Sequence, residues 1–267
     1  MGGFGIDRGR ALAAIGPAAE RAAGVVAAIP DPDAPTRGLE WTLGQTAAHV
    51  ISDVRLHRRW LRGEGEIDYG TFDLAARNRR NLDAVVEHVP GRLADVLRAE
   101  SAAYVAEAGA MPAGATIPAE TGPSLTVEEV TCVLLGELVV HGFDIARTLG
   151  RPWPIGRAEA NLVATGTFAT LPQFVNPETA RDADVSYELR LRGGPCATVR
   201  IHHGELTVEP RAGKPRVDAR ISADAASFLL VGYGRIPQWG PILRGKLLAW
   251  GPKPWAAFRF ATYLRNP

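Results

Sequence analysis

Through the first half of the chain, apolar residues recur every three or four positions, which is the spacing of amphipathic helices. Two capping boxes mark helix starts, because Thr42 stands three residues before Gln45 and Thr126 stands three residues before Glu129. The pattern predicts helices over 6–29, 42–63, 72–88 with a continuation to 109, and 126–149.

After residue 184 the period of the apolar positions changes from helical to two, which is typical of half-buried strands. Turn residues such as Gly193-Gly194 and His203-Gly204 separate the alternating runs. The pattern predicts strands at 185–191, 196–202, 205–209, 216–222 and 245–250, and helices at 157–171, 224–233 and 254–264. The predicted fold class is therefore α followed by α+β, with a helical domain at 1–155 and a sheet-and-helix domain at 156–267.

Composition narrows the possible functions. The chain has 267 residues, a net charge of +1 and mixed acidic and basic positions, so no basic block favours nucleic acid as a partner. We expect no membrane partner either, since the N-terminus lacks the apolar core of a signal peptide or a spanning helix. Only two cysteines are present, far apart in sequence, and this favours a reduced, cytoplasmic setting. We expect a monomer.

Two residues interrupt the apolar stripe of the helix predicted at 126–149. Glu137 and His141 are four residues apart, so they share the helix face that otherwise carries valine and leucine. A lone buried carboxylate is costly, and a divalent metal ion is one partner that satisfies a glutamate and a histidine together. His49, two turns into the preceding capped helix, is available as a third ligand. The alternative interpretation is a chance pair of solvated helix neighbours.

The other candidates have simpler explanations. His57 lies in a charged run, and we expect it at the surface. Cys132 lies five residues before Glu137, and we expect an inert buried thiol there. Asp144 follows His141 by three residues, so it is either a hydrogen-bond partner of that histidine or a solvent-exposed carboxylate.

The segments around these ligands resemble a known family. "WTLGQTAAHV" and "GELVVHGFDIAR" are similar to two signatures of the mycothiol-dependent maleylpyruvate isomerase family, whose first domain is a DinB-like metal-binding four-helix bundle. "GKLLAWG" with the apolar segment after it resembles the sterol-carrier-like domain that many members carry. The resemblance implies that His49, Glu137 and His141 bind a divalent metal ion, usually zinc, and that mycothiol is the cosubstrate.

The resemblance implies an enzyme acting on a small electrophile. A metal-activated low-molecular-weight thiol would add to the substrate, and the outcome would be cis–trans isomerisation or S-transfer. Anionic substrates need arginines, so Arg235 and Arg244, together with Asp144, are the catalytic candidates, and Arg79 and Arg80, beside Arg77, are the cofactor-binding candidates. A helix carrying these arginines also fits a solvated face. A different hypothesis is a carrier of lipids or small apolar ligands, suggested by the apolar runs "SFLLVGYG" and "WAAFRFATYL".

Overall fold

A computed structural model describes residues 4–67, 78–80, 82, 85, 87–119 and 123–265 of the chain. The chain forms two compact units, Asp7–Ile155 and Gly156–Pro267, and the second also includes Met1–Ile6. A helical region thus precedes a mixed sheet region, as the change of period predicted. Most of the helix predicted at 72–88 lies outside the described residues.

The first unit is built from long helices whose apolar faces meet. They are α1 (Arg8–Ala27), α2 (Leu43–Leu61), α3 (Pro90–Ala110) and α4 (Val127–Thr148), with a short strand pair, β1 (Thr116–Ile117) and β2 (Leu125–Thr126), before α4. α1 and α2 each pack against both α3 and α4. α4 is buried along most of its length, and its inner face is where Glu137 and His141 are placed.

The second unit contains a five-stranded sheet with short helices. In chain order its elements are α5 (Arg157–Thr170), a 3₁₀ helix (Leu171–Phe174), α6 (Pro177–Ala180), β3 (Asp184–Leu191), β4 (Cys196–His202), β5 (Glu205–Pro210), β6 (Ala219–Ala223), α7 (Ala225–Gly232), α8 (Trp239–Leu243), β7 (Leu247–Trp250) and a second 3₁₀ helix (Pro254–Tyr263). The strand order is β5-β4-β3-β6-β7, and only the β3–β6 pairing is parallel.

The sequence predicted an ordinary helix at 254–264, and the structure has a 3₁₀ helix over Pro254–Tyr263 instead. Three residues make one turn of a 3₁₀ helix, yet its buried residues keep the spacing of four and three on which the helix prediction rested. Ala256, Phe260 and Tyr263 face inward, and the Phe260 ring packs edge-on against Tyr187 of β3 at 5.0 Å.

The first described residues belong to the sheet unit. The ring of Phe4 lies 5.6 Å from the ring of Phe168 on α5, and Phe168 also contacts Phe228 of α7 at 5.8 Å. The sheet unit is therefore assembled from two segments of chain that flank the helical unit in sequence.

One charged side chain is fully buried in the sheet unit. Glu188 of β3 accepts hydrogen bonds from Arg190 (Nε, 2.7 Å), Arg211 (Nη1, 3.2 Å) and Arg220 (Nε, 3.0 Å). Burial alone raises the pKa of Glu188, but these hydrogen bonds and the positive charge of Arg190 outweigh burial and lower it to about 2. Glu188 is therefore ionised and holds three guanidinium groups on one face of the sheet.

Candidate metal centre

Helix α2 begins at a capping box that sets the position of its first buried histidine. The hydroxyl of Thr42 accepts a hydrogen bond from the amide of Gln45 (3.2 Å), and Gln45 Oε1 accepts one from the amide of Thr42 (2.9 Å). These reciprocal bonds satisfy amides that the first turn leaves without helical partners. His49 then follows on the buried face of α2.

Helix α4 begins in the same way. Thr126 accepts a hydrogen bond from the amide of Glu129 (3.2 Å), and Glu129 Oε2 accepts one from the amide of Thr126 (2.9 Å). Glu137 and His141 then lie one turn apart on the same face of the helix.

The two helices bring three candidate ligands together. Glu137 Oε2 lies 3.3 Å from His141 Nε2 and 3.8 Å from His49 Nε2. One donor atom from each of the three residues falls within 4.8 Å of the other two. The imidazole rings of His49 and His141 stand nearly perpendicular, with their centroids 4.8 Å apart. Two imidazole nitrogens and one carboxylate oxygen from separate turns thus converge on one point.

The cluster fits a divalent cation by the chemistry of its donors. Two histidines and one glutamate form a ligand set that zinc and several other divalent ions accept. Both histidines are buried, whereas the Glu137 side chain keeps 23% of its surface exposed. A small molecule can therefore approach the cluster from the side of the glutamate.

The charged side chains of the cluster shift one another's pKa values. Burial alone raises the pKa of Glu137, but the hydrogen bond and charge of His141 and the charge of His49 lower it to about 2. Burial lowers the pKa of His141, but the hydrogen bonds that the ring donates to Asp144 and Glu137, and the charges of these carboxylates, raise it to about 9. The carboxylate of Glu137 is therefore ionised, and its charge favours a cation at this cluster.

Two neighbouring side chains hold the histidine rings. Asp144 Oδ2 lies 3.2 Å from His141 Nδ1, so it can accept a hydrogen bond from that nitrogen. The other ring nitrogen, Nε2, then faces the cluster. Asp144 is buried, which shows that the alternative of a solvent-exposed carboxylate was wrong. The indole of Trp41, which precedes the cap of α2, packs on His49 at 4.5 Å and on His141 at 6.0 Å between centroids.

Sequence reasoning missed two residues on α2. Asp53, one turn after His49, places Oδ2 3.1 Å from His49 Nε2 and is buried. His57 was predicted at the surface, and this was wrong, because its ring is buried between Trp60 and Tyr104 and its Nδ1 lies 2.7 Å from the carbonyl of Asp53. Residues 49, 53 and 57 share one helix face by their spacing of four, and this signal was present in the sequence.

Neither cysteine is poised as a nucleophile. Burial and the charges of Glu129 and Glu128 raise the pKa of Cys132 to about 12. Burial, together with the charge of Glu188, also raises the pKa of Cys196, whose Sγ lies 3.7 Å from Glu188 Oε1. Both cysteines are free thiols, and Cys132 is the inert buried thiol that its position predicted.

The predicted arginines that the structure describes lie at three separate places along the chain. Arg79 and Arg80 are exposed, and Arg77 lies outside the described residues. In the sheet unit, Arg235 follows α7 and donates a hydrogen bond to the carbonyl of Tyr233 (2.7 Å). Arg244 caps α8 and is exposed. Their roles toward a substrate or cofactor stay predictions.

Fold and site together define a class: helical proteins with a two-histidine, one-glutamate cluster on two facing helices, followed by a mixed sheet region. Residues 15–146 match the profile of the mycothiol maleylpyruvate isomerase N-terminal domain. Residues 15–146 are therefore a domain of that family, as the two sequence signatures predicted.

Solved structures show the same fold over nearly the whole chain. The crystal structure of the mycothiol-dependent maleylpyruvate isomerase is 14% identical in sequence, covers 95% of this chain and 99% of its own, and superposes with a TM-score of 0.56. A histidine-to-alanine variant of that enzyme is 13% identical, with the same coverage and TM-score. No curated protein sequence matches significantly. At this level of identity the likeness establishes a shared fold.

Proposed function

We propose that this protein is a divalent-metal-dependent enzyme that uses mycothiol as cosubstrate and isomerises a cis-unsaturated dicarbonyl acid of the maleylpyruvate type. The observation that carries the proposal is the convergence of His49, Glu137 and His141 within 4.8 Å. Membership of the mycothiol maleylpyruvate isomerase N-terminal domain family and the shared fold support the choice of cosubstrate and reaction.

Each side chain of the cluster has a definite task in this proposal. His49 and His141 would each bind the cation, zinc in our proposal, through a ring nitrogen, and Glu137 would bind it through the carboxylate and supply negative charge. Asp144 fixes the orientation of His141 through Nδ1, and Trp41 packs against both rings. Side chains held in this way need little rearrangement to accept an ion, which favours affinity.

The nucleophile has to come from outside the protein. Burial keeps Cys132 protonated, and Cys196 is a part-buried thiol beside a carboxylate, so neither offers a thiolate at neutral pH. A divalent ion lowers the pKa of a thiol that binds to it, and this supplies a thiolate at neutral pH. A low-molecular-weight thiol such as mycothiol suits a site that is open beside Glu137.

The reaction follows from thiol chemistry. Addition of the mycothiol sulfur to the cis double bond leaves a single bond, and rotation about it followed by expulsion of the sulfur gives the trans isomer with the thiol regenerated. If the adduct persists or the substrate carries a leaving group, the same site acts as an S-transferase. Arg235 and Arg244, or Arg79 and Arg80, remain the candidates for binding the anionic groups of substrate and thiol.

The carrier hypothesis has weaker support. The sheet unit contains a cavity of about 630 Å³, but charged side chains line it together with Trp255, namely Glu178, Asp182, Asp184, Lys253 and Arg259. A cavity with five charged side chains suits an apolar cargo poorly. Purified protein that carries lipid and no metal would favour the carrier over the enzyme.

Metal analysis of matched variants tests the proposal. We expect about one divalent ion per chain in the wild type and loss of that ion in His49→Ala, because two ligands rarely retain a catalytic metal. His202→Ala, which removes an exposed histidine in the sheet unit, is the matched control and should keep the ion. Thiol consumption and isomerisation should be measured with mycothiol and maleylpyruvate for all three proteins.

Two outcomes would contradict the proposal. Metal content that is the same in His49→Ala as in the wild type would exclude the proposed ligands. A wild type that binds its metal but neither consumes mycothiol nor isomerises the substrate would leave the metal centre in place and exclude the proposed reaction.

A further inference from the structure

The sheet unit exposes a group of large apolar side chains near its C-terminal end. We call Trp239, Leu243, Trp255 and Phe258 the aromatic surface; their exposed fractions are 59%, 86%, 64% and 49%. Single exposed apolar residues are common on soluble proteins, but several large ones together mark a binding surface.

These four side chains form one continuous patch. Trp239 and Leu243 are four residues apart on α8, so they lie on the same side of that helix. The ring of Trp239 contacts the ring of Phe258 with centroids 5.9 Å apart. Trp255 lies three residues before Phe258, which is one turn of the 3₁₀ helix, so the two share a face.

The segment of chain after Asp224, which carries the aromatic surface, has only positive side-chain charges, although Glu178, Asp182 and Asp184 line the cavity that Trp255 also lines. No aspartate or glutamate follows Asp224, whereas six lysines and arginines do, so this segment carries +6 in a chain of net charge +1. The exposed basic residues of the segment are Arg244, Lys246, Lys253 and Arg259. Lys253 pairs with Asp218 at 2.9 Å. The guanidinium of Arg244 lies over Gly240, next to Trp239.

The combination selects one kind of partner. Tryptophan and phenylalanine favour the boundary between lipid headgroups and acyl chains, and lysine and arginine are attracted to anionic headgroups. A second copy of this chain is a poorer partner, because two such surfaces would bring their positive charges together. We propose that the aromatic surface docks the protein onto the surface of a membrane that contains anionic phospholipid.

This docking is peripheral. Among the described residues no helix is long and apolar enough to span a membrane, and the proposed surface needs none, since α8 has five residues and would lie at the interface. The inference replaces the expectation of no membrane partner and is independent of the metal centre. It also differs from the carrier hypothesis, because the lipid contacts the outside of the unit.

Vesicle sedimentation with the full chain tests the inference. The probes are vesicles of phosphatidylcholine alone and vesicles with phosphatidylglycerol in about a 3:1 ratio, at low and high salt. We expect partition onto the anionic vesicles that falls at high salt. Trp239→Ser and Trp255→Ser should each weaken partition about tenfold, because each removes a large side chain from the buried contact.

Matched variants distinguish vesicle binding through the aromatic surface from non-specific binding elsewhere on the protein. Val89→Ser removes an exposed apolar residue of the helical unit, and Arg200→Gln removes an exposed charge on β4. Both should bind vesicles as the wild type does, whereas Lys246→Gln combined with Arg259→Gln should bind about tenfold more weakly. Circular dichroism confirms that each variant is folded before its binding is compared.

Three results would overturn the inference. The first is a folded wild type that does not partition onto anionic vesicles at low salt. The second is equal partition of the wild type, Trp239→Ser and Trp255→Ser. The third is a concentration-dependent dimer in sedimentation velocity that Trp239→Ser dissociates, without vesicle binding, since the surface would then be a contact between copies.

Discussion

At the scale of single residues, the metal centre depends on side chains that are not ligands. His141 contributes Nε2 to the cluster, but the direction of that atom is set by Asp144 at the other ring nitrogen. A buried carboxylate in this position costs desolvation energy, and its hydrogen bond to the ring offsets part of that cost. Asp144 is therefore best regarded as a positioning residue for the centre.

Replacing Asp144 by asparagine should weaken metal binding without removing it. The amide keeps the size of the side chain but loses the charge that supports His141, and such changes typically cost about 10- to 100-fold in affinity. Competition with a chromophoric chelator measures the affinity. Asp95→Asn on the exposed side of α3 is the control, and equal affinities in wild type and Asp144→Asn would show that Asp144 has no role in positioning.

A second prediction concerns Gly142, which has the indole of Trp153 directly against it. A Cβ at this position would overlap the ring, whose Nε1 donates a hydrogen bond to the carbonyl of Val139 (3.0 Å). Gly142→Ala should therefore lower the free energy of unfolding by about 1–3 kcal/mol in urea denaturation. Gly24→Ala, an exposed position of α1 with open space around it, should instead raise it by about 0.5–1 kcal/mol.

The sequence allowed prediction of the three clustered residues but not of their neighbours. His49, Glu137 and His141 were recognisable because polar groups interrupted an apolar stripe and because the segments resembled a known family. Asp53 and His57 were not predicted as buried neighbours of the site because charged residues surround them on α2. For these residues, helical spacing predicted burial better than the local charge did. Burial of His57 comes from Tyr104 on α3, and no local pattern encodes that contact.

At the scale of elements, local chemistry explains where the helices of the site begin. Both capping boxes predicted from the sequence are formed in the structure, at Thr42 and at Thr126. The 3₁₀ helix at Pro254–Tyr263 was not predicted, because an apolar segment of this length fits either helix type. What decides the type is how Phe260 and Tyr263 pack against the sheet, which is a tertiary effect.

The cap of α2 gives a prediction at this scale. Thr42→Ala removes the acceptor for the Gln45 amide, and it should lower the free energy of unfolding by about 1 kcal/mol. Thr42→Ser keeps the hydroxyl and should behave as the wild type in the same urea titration. If the alanine and serine variants are equally stable, the cap contributes nothing to the stability of α2.

At the scale of the whole molecule, part of the stability in acid should depend on Glu188 in the sheet unit. The pKa of Glu188 is lowered in the folded state to about 2 from a usual value of 4.5, so its contribution is present above pH 4.5 and is lost as pH falls toward 2. The loss should reach about 1–3 kcal/mol, because the partly exposed arginines are screened by solvent.

Circular dichroism between pH 5 and pH 2 measures this loss. Glu188→Gln should be less stable at neutral pH, because three arginines lose their buried partner, and its stability should change less between pH 5 and pH 2. Glu209→Gln, which changes an exposed carboxylate on β5, should follow the wild type. An acid dependence that is equal in Glu188→Gln and wild type would assign the loss to other carboxylates.

The packing of Phe4 against Phe168 has a consequence for biosynthesis. A ribosome makes Phe4 long before its partner, and the intervening chain can fold by itself in the meantime because Asp7–Ile155 forms a compact unit. Phe4 therefore cannot pack in its final position until α5, which carries Phe168, has been synthesised. A C-terminal fragment that begins at Gly156 lacks Phe4 and its contact with Phe168. Adding a peptide that spans residues 1–6 should therefore protect the fragment from proteolysis.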